Sequence, residues 1–324
     1  KLATAVGLIG AAILTIMIGF SGSFEAILGM RLIQGLLLAA FPSLIIAYIN
    51  EEFEPFNVGT VIGIYISGTT VGGLFGRLVV SAITDFVSWR MGLIVIGILY
   101  LAVGIAFFML LPKPKYQRQR QSGGLQLIKT FHTALANKKL LWIYLVAFLI
   151  MGSFVAVFNF ISYVLLAPPY SLSQTVVGLL FVVYLFGTFS STYMGRLSDQ
   201  HGNNGRVLIL GLLIMLTGGL LTLLQPLVFK FIGLAIFTFG MLGSHSVACG
   251  WVGKLNQGDK AQSSSMYMFF YYAGASSLGT LGGVFLESYG WSGVIGMVAA
   301  AVIICLLVVV RLELAVSQHL LWHH

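Results

Sequence analysis

The stretch LLWIYLVAFLIMGSFVAVFNFISYVLL, residues 140–166, runs without a single charged side chain. A helix needs about 20 largely apolar residues to cross the hydrocarbon core of a bilayer, so this stretch predicts a membrane-spanning helix. The charge-free run continues to residue 195, but the proline-rich segment APPYSLSQT, residues 167–175, interrupts it. Because such a segment favours a turn, the run 140–195 predicts two successive spans.

The same apolar character recurs along the rest of the chain, in eight further charge-free stretches. They are residues 2–24, 32–50, 57–76, 91–112, 207–229, 231–253, 261–286 and 288–310. The stretch 32–50 belongs to a helix that starts near Phe24 and carries Arg31 within it. The sequence therefore predicts an all-α polytopic membrane protein with ten visible spans.

The composition supports a membrane location and excludes several other classes of protein. Hydrophobic residues make up 58% of the 324 residues and charged residues only 8%, against about 25% charged in a soluble domain. The formal net charge of +8 does not indicate nucleic-acid binding, because the basic residues lie in short gaps between apolar runs, where headgroups and topology explain them. Cys249 and Cys305 lie inside apolar runs and are interpreted as packing residues. No catalytic, nucleotide-binding or metal-binding constellation is visible, so we expect no enzyme and no cofactor.

The distribution of Lys and Arg predicts the orientation of the spans. Thirteen of the 17 basic residues fall on one side of the predicted spans, whereas Arg90 and Lys230 fall on the other. Since cytoplasmic loops are enriched in Lys and Arg, the richer side should be cytoplasmic. With an even number of spans, both visible termini should lie there too.

The longest polar gap, residues 113–139, separates two predicted domains. Its first part, KPKYQRQRQSGG, indicates a flexible basic linker. Its second part carries apolar residues at helical spacing, which favours an amphipathic helix on the cytoplasmic leaflet, with an unstructured tether as the alternative. Residues 1–112 then form a helical bundle with four spans, and residues 140–324 form a six-helix bundle.

An internal repeat suggests what the four-span domain corresponds to. Gly73 and Gly279 lie 206 residues apart, as do Gly76 and Gly282, and this offset matches four spans with four spans. The two helices within residues 140–205 have no counterpart at this offset. We therefore expect a twelve-span protein whose first two helices precede Lys1; the alternative is a genuine ten-span protein.

Three motifs place polar or glycine residues within or next to predicted spans, where they cost free energy or determine how helices pack. In GRLSDQHGNNGR, residues 195–206, Gly195 permits close helix approach, Asp199 can accept charge-assisted hydrogen bonds, Gly202 allows a reversal, and Arg206 places a cation at the next span. In the second predicted span, Arg31, Gln34 and Gly35 share one helical face. The third motif lies in the next span and consists of glycines along one helical face followed by an arginine: Gly68, Gly72, Gly73, Gly76 and Arg77.

These motifs resemble signatures of the major facilitator superfamily. The loop at 195–206 resembles G-x-x-x-D-x-x-G-x-[RK]-[RK], with Gln200 where the family carries Arg. The Arg31 motif resembles R-x-x-x-G, implicated in that family in proton coupling. The glycine face resembles the antiporter signature G-x-x-x-G-P-x-x-G-G of exporters, with Gly73 in place of the proline and Arg77 in place of the last glycine.

Longer strings resemble the YnfM-type branch of bacterial facilitator permeases. They are YISGTTVGGLFGRL (65–78), FLIMGSFVAVFNFISY (148–163), SHSVACGWVG (244–253) and QSSSMYMFFYYAGASSLGTLGG (262–283). The resemblance implies the superfamily fold and a secondary active transporter in the bacterial inner membrane. Its expected partners are a small-molecule substrate, protons as coupling ion and the lipid bilayer, with no nucleic acid, and we expect a monomer.

Polar residues inside spans are candidates for the substrate cavity, which such a carrier places between its repeats. They are Asn159, Tyr163, His245, Ser246, Tyr267 and Tyr271. An imidazole titrates near neutral pH, but a lone intramembrane His also commonly hydrogen-bonds a neighbouring helix. All nine acidic residues fall in gaps or at span ends. The sequence thus predicts proton-coupled efflux of a drug, sugar or metabolite by alternating access. The alternatives are an importer of sugars or organic acids and a membrane protein that does not transport.

Overall fold

A computed structural model describes residues 2–39, 41–42, 45, 58–110, 137–201, 203–255 and 260–321. Within these ranges the chain is helical, with short turns and no strand. This agrees with the predicted all-α class. The predicted basic linker and the amphipathic helix fall almost entirely on residues 111–136, outside the described ranges, so both stay predictions.

The described residues form ten α-helices and one short 3-10 helix. They are α1 (Leu2–Phe20), α2 (Phe24–Ala39), α3 (Val58–Phe86), α4 (Trp89–Leu110), α5 (Lys138–Leu166), α6 (Gln174–Leu179), the 3-10 helix Leu180–Val183, α7 (Tyr184–His201), α8 (Asn204–Leu221), α9 (Leu227–Leu255) and α10 (Lys260–Leu321). Between α5 and α6 the chain leaves the helix at residues 167–173, inside the predicted break.

The chain divides into two compact units. Unit 1 contains α1 to α4 together with residues Leu172–Phe181, which include α6. Unit 2 contains α5, residues 182–201 with α7, and α8 to α10. The predicted division at residues 113–139 stays a prediction, and the grouping of residues 172–181 with unit 1 is a feature that it did not include.

Polar side chains define where several helices begin. The Ser23 hydroxyl accepts the N–H of Ala26, 3.2 Å away, at the start of α2. The Asn137 side chain accepts the N–H groups of Lys139 and Leu140 and caps α5. Since the first turn of a helix has unpaired N–H groups, these side chains satisfy some of them and stabilise the starts of α2 and α5.

The sequence predicts a boundary between two spans near Glu287. In the structure this boundary lies three residues further along the chain. Helix α10 continues past Glu287 and loses helical geometry at Gly290, whose φ is +64°. Because left-handed backbone is strained for residues with a side chain, Gly290 is the residue that permits this break. Residues 260–289 and 291–321 therefore form two consecutive helical segments.

Six stretches of the described chain are long and apolar enough to cross a bilayer. They are Trp89–Leu110, Lys138–Leu166, Gln174–Gln200, Asn204–Leu221, Leu227–Leu255 and Ser263–Leu314. The last comprises 52 residues and contains the break at Gly290. Ala5–Phe20 is apolar but shorter. The chain is thus a multi-pass membrane protein, while the count of ten spans and the two preceding helices stay predictions.

Glycines allow the helices of unit 2 to approach closely. A methyl group on Gly152 of α5 would lie 2.6 Å from the carbonyl oxygen of Gly274 on α10. A methyl group on Gly240 of α9 would lie 2.6 Å from the carbonyl oxygen of Gly211 on α8. Within lipid, association depends on packing rather than on burial of apolar surface from water, so these contacts help to hold α5 against α10 and α8 against α9.

Candidate functional site

One histidine and two tyrosines form a buried polar cluster in unit 2. His245 on α9 shares a hydrogen bond with the hydroxyl of Tyr267 on α10, with 2.9 Å between Nδ1 and the oxygen. The ring of Tyr271 lies over the imidazole, with ring centres 4.4 Å apart. All three side chains are buried. We call this set the His245 cluster.

The local sequence explains why these three side chains meet. Tyr267 and Tyr271 are four residues apart and therefore share a face of α10, and Gly274 lies one turn further along the helix. The close approach of Gly274 to the backbone of Phe148 on α5 fixes this face within unit 2. Chemically, the cluster combines an imidazole that can bind a proton with a phenol that can donate or accept a hydrogen bond.

The other predicted cavity residues lie apart from this cluster in the described structure. Asn159 and Tyr163 are on α5, and both are exposed. Their side chains share no described hydrogen bond or ring contact with the cluster. Ser246 is half-buried, and its hydroxyl would lie 3.1 Å from a methyl group on Gly195. The structure thus brings His245, Tyr267 and Tyr271 together and places Ser246 against the loop motif instead.

The loop motif 195–206 contains an ion pair that the sequence did not predict. Lys254 Nζ, in the last turn of α9, lies 3.1 Å from Asp199 Oδ1 and 3.3 Å from Asn204 Oδ1. The Glu313 side chain lies against Gly205. Arg206 is exposed, and Gly202 lies outside the described residues. Lys254 could have been inferred only as a cation near a helix C-terminus, a favourable position for it.

In unit 1, Arg31 belongs to a hydrogen-bonded chain that reaches α1. Arg31 Nη1 donates to Gln34 Oε1 at 3.0 Å. Gln34 Nε2 donates to the hydroxyl of Thr15 at 2.6 Å and to the carbonyl of Ala11 at 3.1 Å. Gln34 and Thr15 are buried, whereas Arg31 is exposed. We call this set the Arg31 network; Thr15, a polar residue within an apolar run, was not predicted.

The glycine motif of α3 has one packed position and several open ones. A methyl group on Gly76 would lie 3.1 Å from the hydroxyl of Tyr100 on α4. Among the described residues, no atom lies close to where such a group would be on Gly68, Gly72 or Gly73, or on Gly35 of α2. Only Gly76 among these is therefore required by a close contact within the described residues.

The C-terminal part of α3 packs on residues 172–181 through three successive contacts. The Arg77 guanidinium lies 4.2 Å from the centre of the Phe181 ring. A methyl group on Gly178 would lie 2.8 Å from Ser81 Cβ. Asp85 Oδ2 accepts the Thr175 N–H at 2.7 Å and also the Thr175 hydroxyl. We call these contacts the α3–α6 seam, formed by Arg77, Ser81, Asp85, Thr175, Gly178 and Phe181.

Hydrogen bonds that the sequence does not predict also connect loops of unit 2. Lys230 Nζ donates to the Thr222 carbonyl, and Trp291 Nε1 donates to the same carbonyl at 3.2 Å. The Tyr170 hydroxyl donates to the Gln225 carbonyl. Thr222 is the C-cap of α8, where a helix leaves carbonyl groups unpaired, so these bonds indicate a structural role.

A bundle of apolar helices that carries polar networks within its spans belongs to the class of polytopic membrane proteins. The family model described as Major Facilitator Superfamily matches residues 1–170 and 143–319. The chain belongs to this superfamily, whose members are transporters that move small molecules across membranes.

Individual relatives and a solved structure agree with this family. The uncharacterized MFS-type transporter YybF of Bacillus subtilis is 40% identical over 303 residues, covering 93% of this chain and 74% of YybF. The inner membrane transport protein YnfM of Escherichia coli is 39% identical, covering 94% of this chain and 72% of YnfM. The inward-facing, occupied crystal structure of a bacterial homologue of the human lysosomal transporter Spinster aligns with a TM-score of 0.66 at 15% identity, covering 98% of this chain and 82% of that one. The predicted superfamily fold and the resemblance to the YnfM-type branch are confirmed.

Proposed function

We propose that this protein is a secondary active transporter that exports a drug, sugar or metabolite across the bacterial inner membrane by alternating access, coupled to inward proton flow. Family membership supports transport of a small molecule. Export, proton coupling, the inner membrane, cytoplasmic termini and a monomeric state are parts of the proposal.

The His245 cluster is the observation that carries proton coupling. A polar, titratable side chain inside an apolar span is costly, and such residues commonly mark proton or substrate pathways. His245 has a hydroxyl partner at hydrogen-bonding distance and no carboxylate partner among the described residues. A proton arriving at the imidazole would change the hydrogen bond to Tyr267, and with it the contact between α9 and α10. Proton binding can therefore alter helix packing at this point.

The direction of transport rests on the glycine motif of α3. Its resemblance to the antiporter signature of exporters supports efflux. The open positions at Gly68, Gly72 and Gly73 leave one face of α3 without bulky side chains. Such a face allows a neighbouring helix to slide or bend against it.

Alternating access requires contacts that form and break at each end of the molecule. We propose the Asp199–Lys254 pair in unit 2 and the α3–α6 seam in unit 1 as two such contacts. The 3-10 helix Leu180–Val183 contains Phe181, the last residue of the seam, and a 3-10 stretch within a longer helix commonly marks a hinge. Residues 172–181 could then move relative to α7 by bending there.

The experiment is transport in inside-out membrane vesicles that contain the full chain. A panel of drugs, sugars and organic acids is offered with and without an imposed pH gradient that makes the vesicle interior acidic. The proposal expects at least one solute to accumulate only with the gradient. The Tyr289→Phe variant is the control: it also removes a tyrosine hydroxyl, but at an exposed position, and should accumulate the same solute equally. Gradient-dependent uptake confined to right-side-out vesicles would instead indicate an importer, and no uptake of any solute would contradict transport of this panel.

A further inference from the structure

The charge of Arg31 has no acidic partner among the described residues. Its hydrogen bond goes to the amide oxygen of Gln34, which is neutral. The five described acidic residues are Glu25, Asp85, Asp199, Glu287 and Glu313. None of them forms a described ion pair with Arg31. Within the described residues, the guanidinium is therefore not paired with a carboxylate.

The Arg31 network fixes which way the Gln34 amide points. Both hydrogen-bond donors of its amino group are used, one by the Thr15 hydroxyl and one by the Ala11 carbonyl. A flipped amide would place its oxygen against the Ala11 carbonyl, which cannot donate. Since Gln34 and Thr15 are both more than nine-tenths buried, the amide oxygen is held toward Arg31. The network positions the guanidinium rather than neutralising it.

The position of Arg31 makes an uncompensated charge expensive. Arg31 lies seven residues into α2, which begins at Phe24, or roughly 10 Å along the helix at 1.5 Å per residue. A charged side chain within the hydrocarbon region costs several kcal/mol unless it faces water or a partner. Guanidinium has five N–H donors in a planar fork that matches carboxylate and phosphate groups. One donor meets Gln34, which leaves the others for a ligand.

We propose that Arg31 binds the carboxylate or phosphate group of an anionic small-molecule substrate, with Gln34 and Thr15 as positioning residues. This inference rests on the proposed transport function and names its substrate class. Anionic lipid headgroups present the same chemistry, so the test must separate a soluble anion from a lipid. The test measures binding without any gradient, and its failure is thus distinguishable from failure of proton-coupled transport.

The experiment uses the purified full chain in nanodiscs of phosphatidylcholine, with tryptophan fluorescence and the thermal unfolding midpoint as readouts. Benzoate, benzamide and benzylammonium are compared at constant ionic strength, together with citrate and inorganic phosphate. The proposal expects saturable stabilisation by at least one anion and none by the neutral or cationic compounds. Absence of any anion effect, or an equal effect of benzamide, would overturn it. A second arm uses nanodiscs with phosphatidylglycerol; stabilisation by this lipid without any soluble anion effect would assign Arg31 to headgroups and also overturn it.

Four variants separate a binding role from a structural one. Arg31→Gln should weaken anion binding roughly tenfold or more, the size expected for hydrogen bonds to a charged group. Gln34→Glu keeps the side-chain shape but places a carboxylate on Arg31, so it should abolish anion binding. Because the second carboxylate oxygen then meets the Ala11 carbonyl, which cannot donate, the unfolding midpoint should fall by a few degrees, and binding is compared at a temperature where this variant is folded. Thr15→Val should weaken binding by a smaller factor, and Arg90→Gln, at the start of α4, should leave it unchanged. Retained anion binding in a folded Gln34→Glu variant would contradict the proposal.

Discussion

The Arg31 network of unit 1 and the His245 cluster of unit 2 are both polar groups inside apolar helices, but they differ in charge and burial. Arg31 is permanently charged and exposed, and a buried neutral amide holds it in place. His245 is buried, titratable and packed among tyrosine rings. The first arrangement suits binding of a charged ligand, whereas the second suits a change of protonation state. The two units therefore supply different parts of the proposed transport reaction.

The largest expected effect comes from locking the α3–α6 seam of unit 1. A Ser81→Cys, Gly178→Cys pair should form a disulfide under mild oxidation, because a Cβ at position 178 would lie 2.8 Å from Ser81 Cβ and needs to move only slightly to reach disulfide geometry. With Cys249 and Cys305 replaced by Ser and Ala, oxidation should reduce transport to background, and a reductant should restore it.

The two single-cysteine variants are the controls for this lock, since oxidation should leave their transport unchanged. Full transport by protein that gel electrophoresis shows to be cross-linked would mean that the seam stays closed throughout the cycle. An element other than the seam would then have to move during transport to connect substrate binding in unit 1 with protonation in unit 2.

A smaller effect is expected from removing one hydroxyl in the His245 cluster. Tyr267→Phe leaves the buried imidazole without its partner, which should cost about 1–3 kcal/mol of stability. Tyr271→Phe keeps the ring contact with His245 and should cost less, because only a hydroxyl outside that hydrogen bond is lost. Thermal unfolding midpoints of the two variants in the same detergent compare them directly, and equal losses would show that the His245–Tyr267 hydrogen bond contributes no more to stability than the Tyr271 hydroxyl does.

The smallest expected effect on stability concerns the Asp199–Lys254 pair. Both side chains are largely exposed, at 71% and 49%, and exposed ion pairs contribute about 0–1 kcal/mol. Asp199→Asn should therefore barely change the unfolding midpoint, yet it should alter the rate of transport if the pair closes the cytoplasmic end. Glu287→Gln, which changes a carboxylate near the Gly290 break, serves as its control. If Asp199→Asn transports at the same rate as the unmodified protein, the pair does not take part in closing the cytoplasmic end.

The helical architecture could be predicted because lipid leaves the backbone few choices. In a bilayer every N–H and C=O must be paired within the protein, so long apolar runs such as residues 140–166 form helices. The proline-rich break at 167–175 could be predicted for the same reason. A boundary predicted from charge alone falls at Glu287, whereas the helix ends at Gly290, where the backbone has a positive φ.

The partners of the candidate residues could be predicted much less well. Arg31 and Gln34 are on one helix, and their spacing indicated the contact that the structure contains. Thr15 and Lys254 lie on other helices, and which of their faces meet depends on how each helix is rotated about its axis. Uniformly apolar runs carry little periodicity to fix that rotation, so these partners and the α3–α6 seam emerge only from the structure.

The most direct test of the account compares gradient-driven and gradient-free transport by the His245→Gln variant. Solute exchange across vesicles at equal pH requires alternating access but no net proton movement, whereas accumulation requires both. The account predicts that His245→Gln retains exchange within about a factor of three and loses accumulation driven by the pH gradient, with Arg31→Gln losing both. Undiminished gradient-driven accumulation by His245→Gln would contradict the assignment of proton coupling to unit 2.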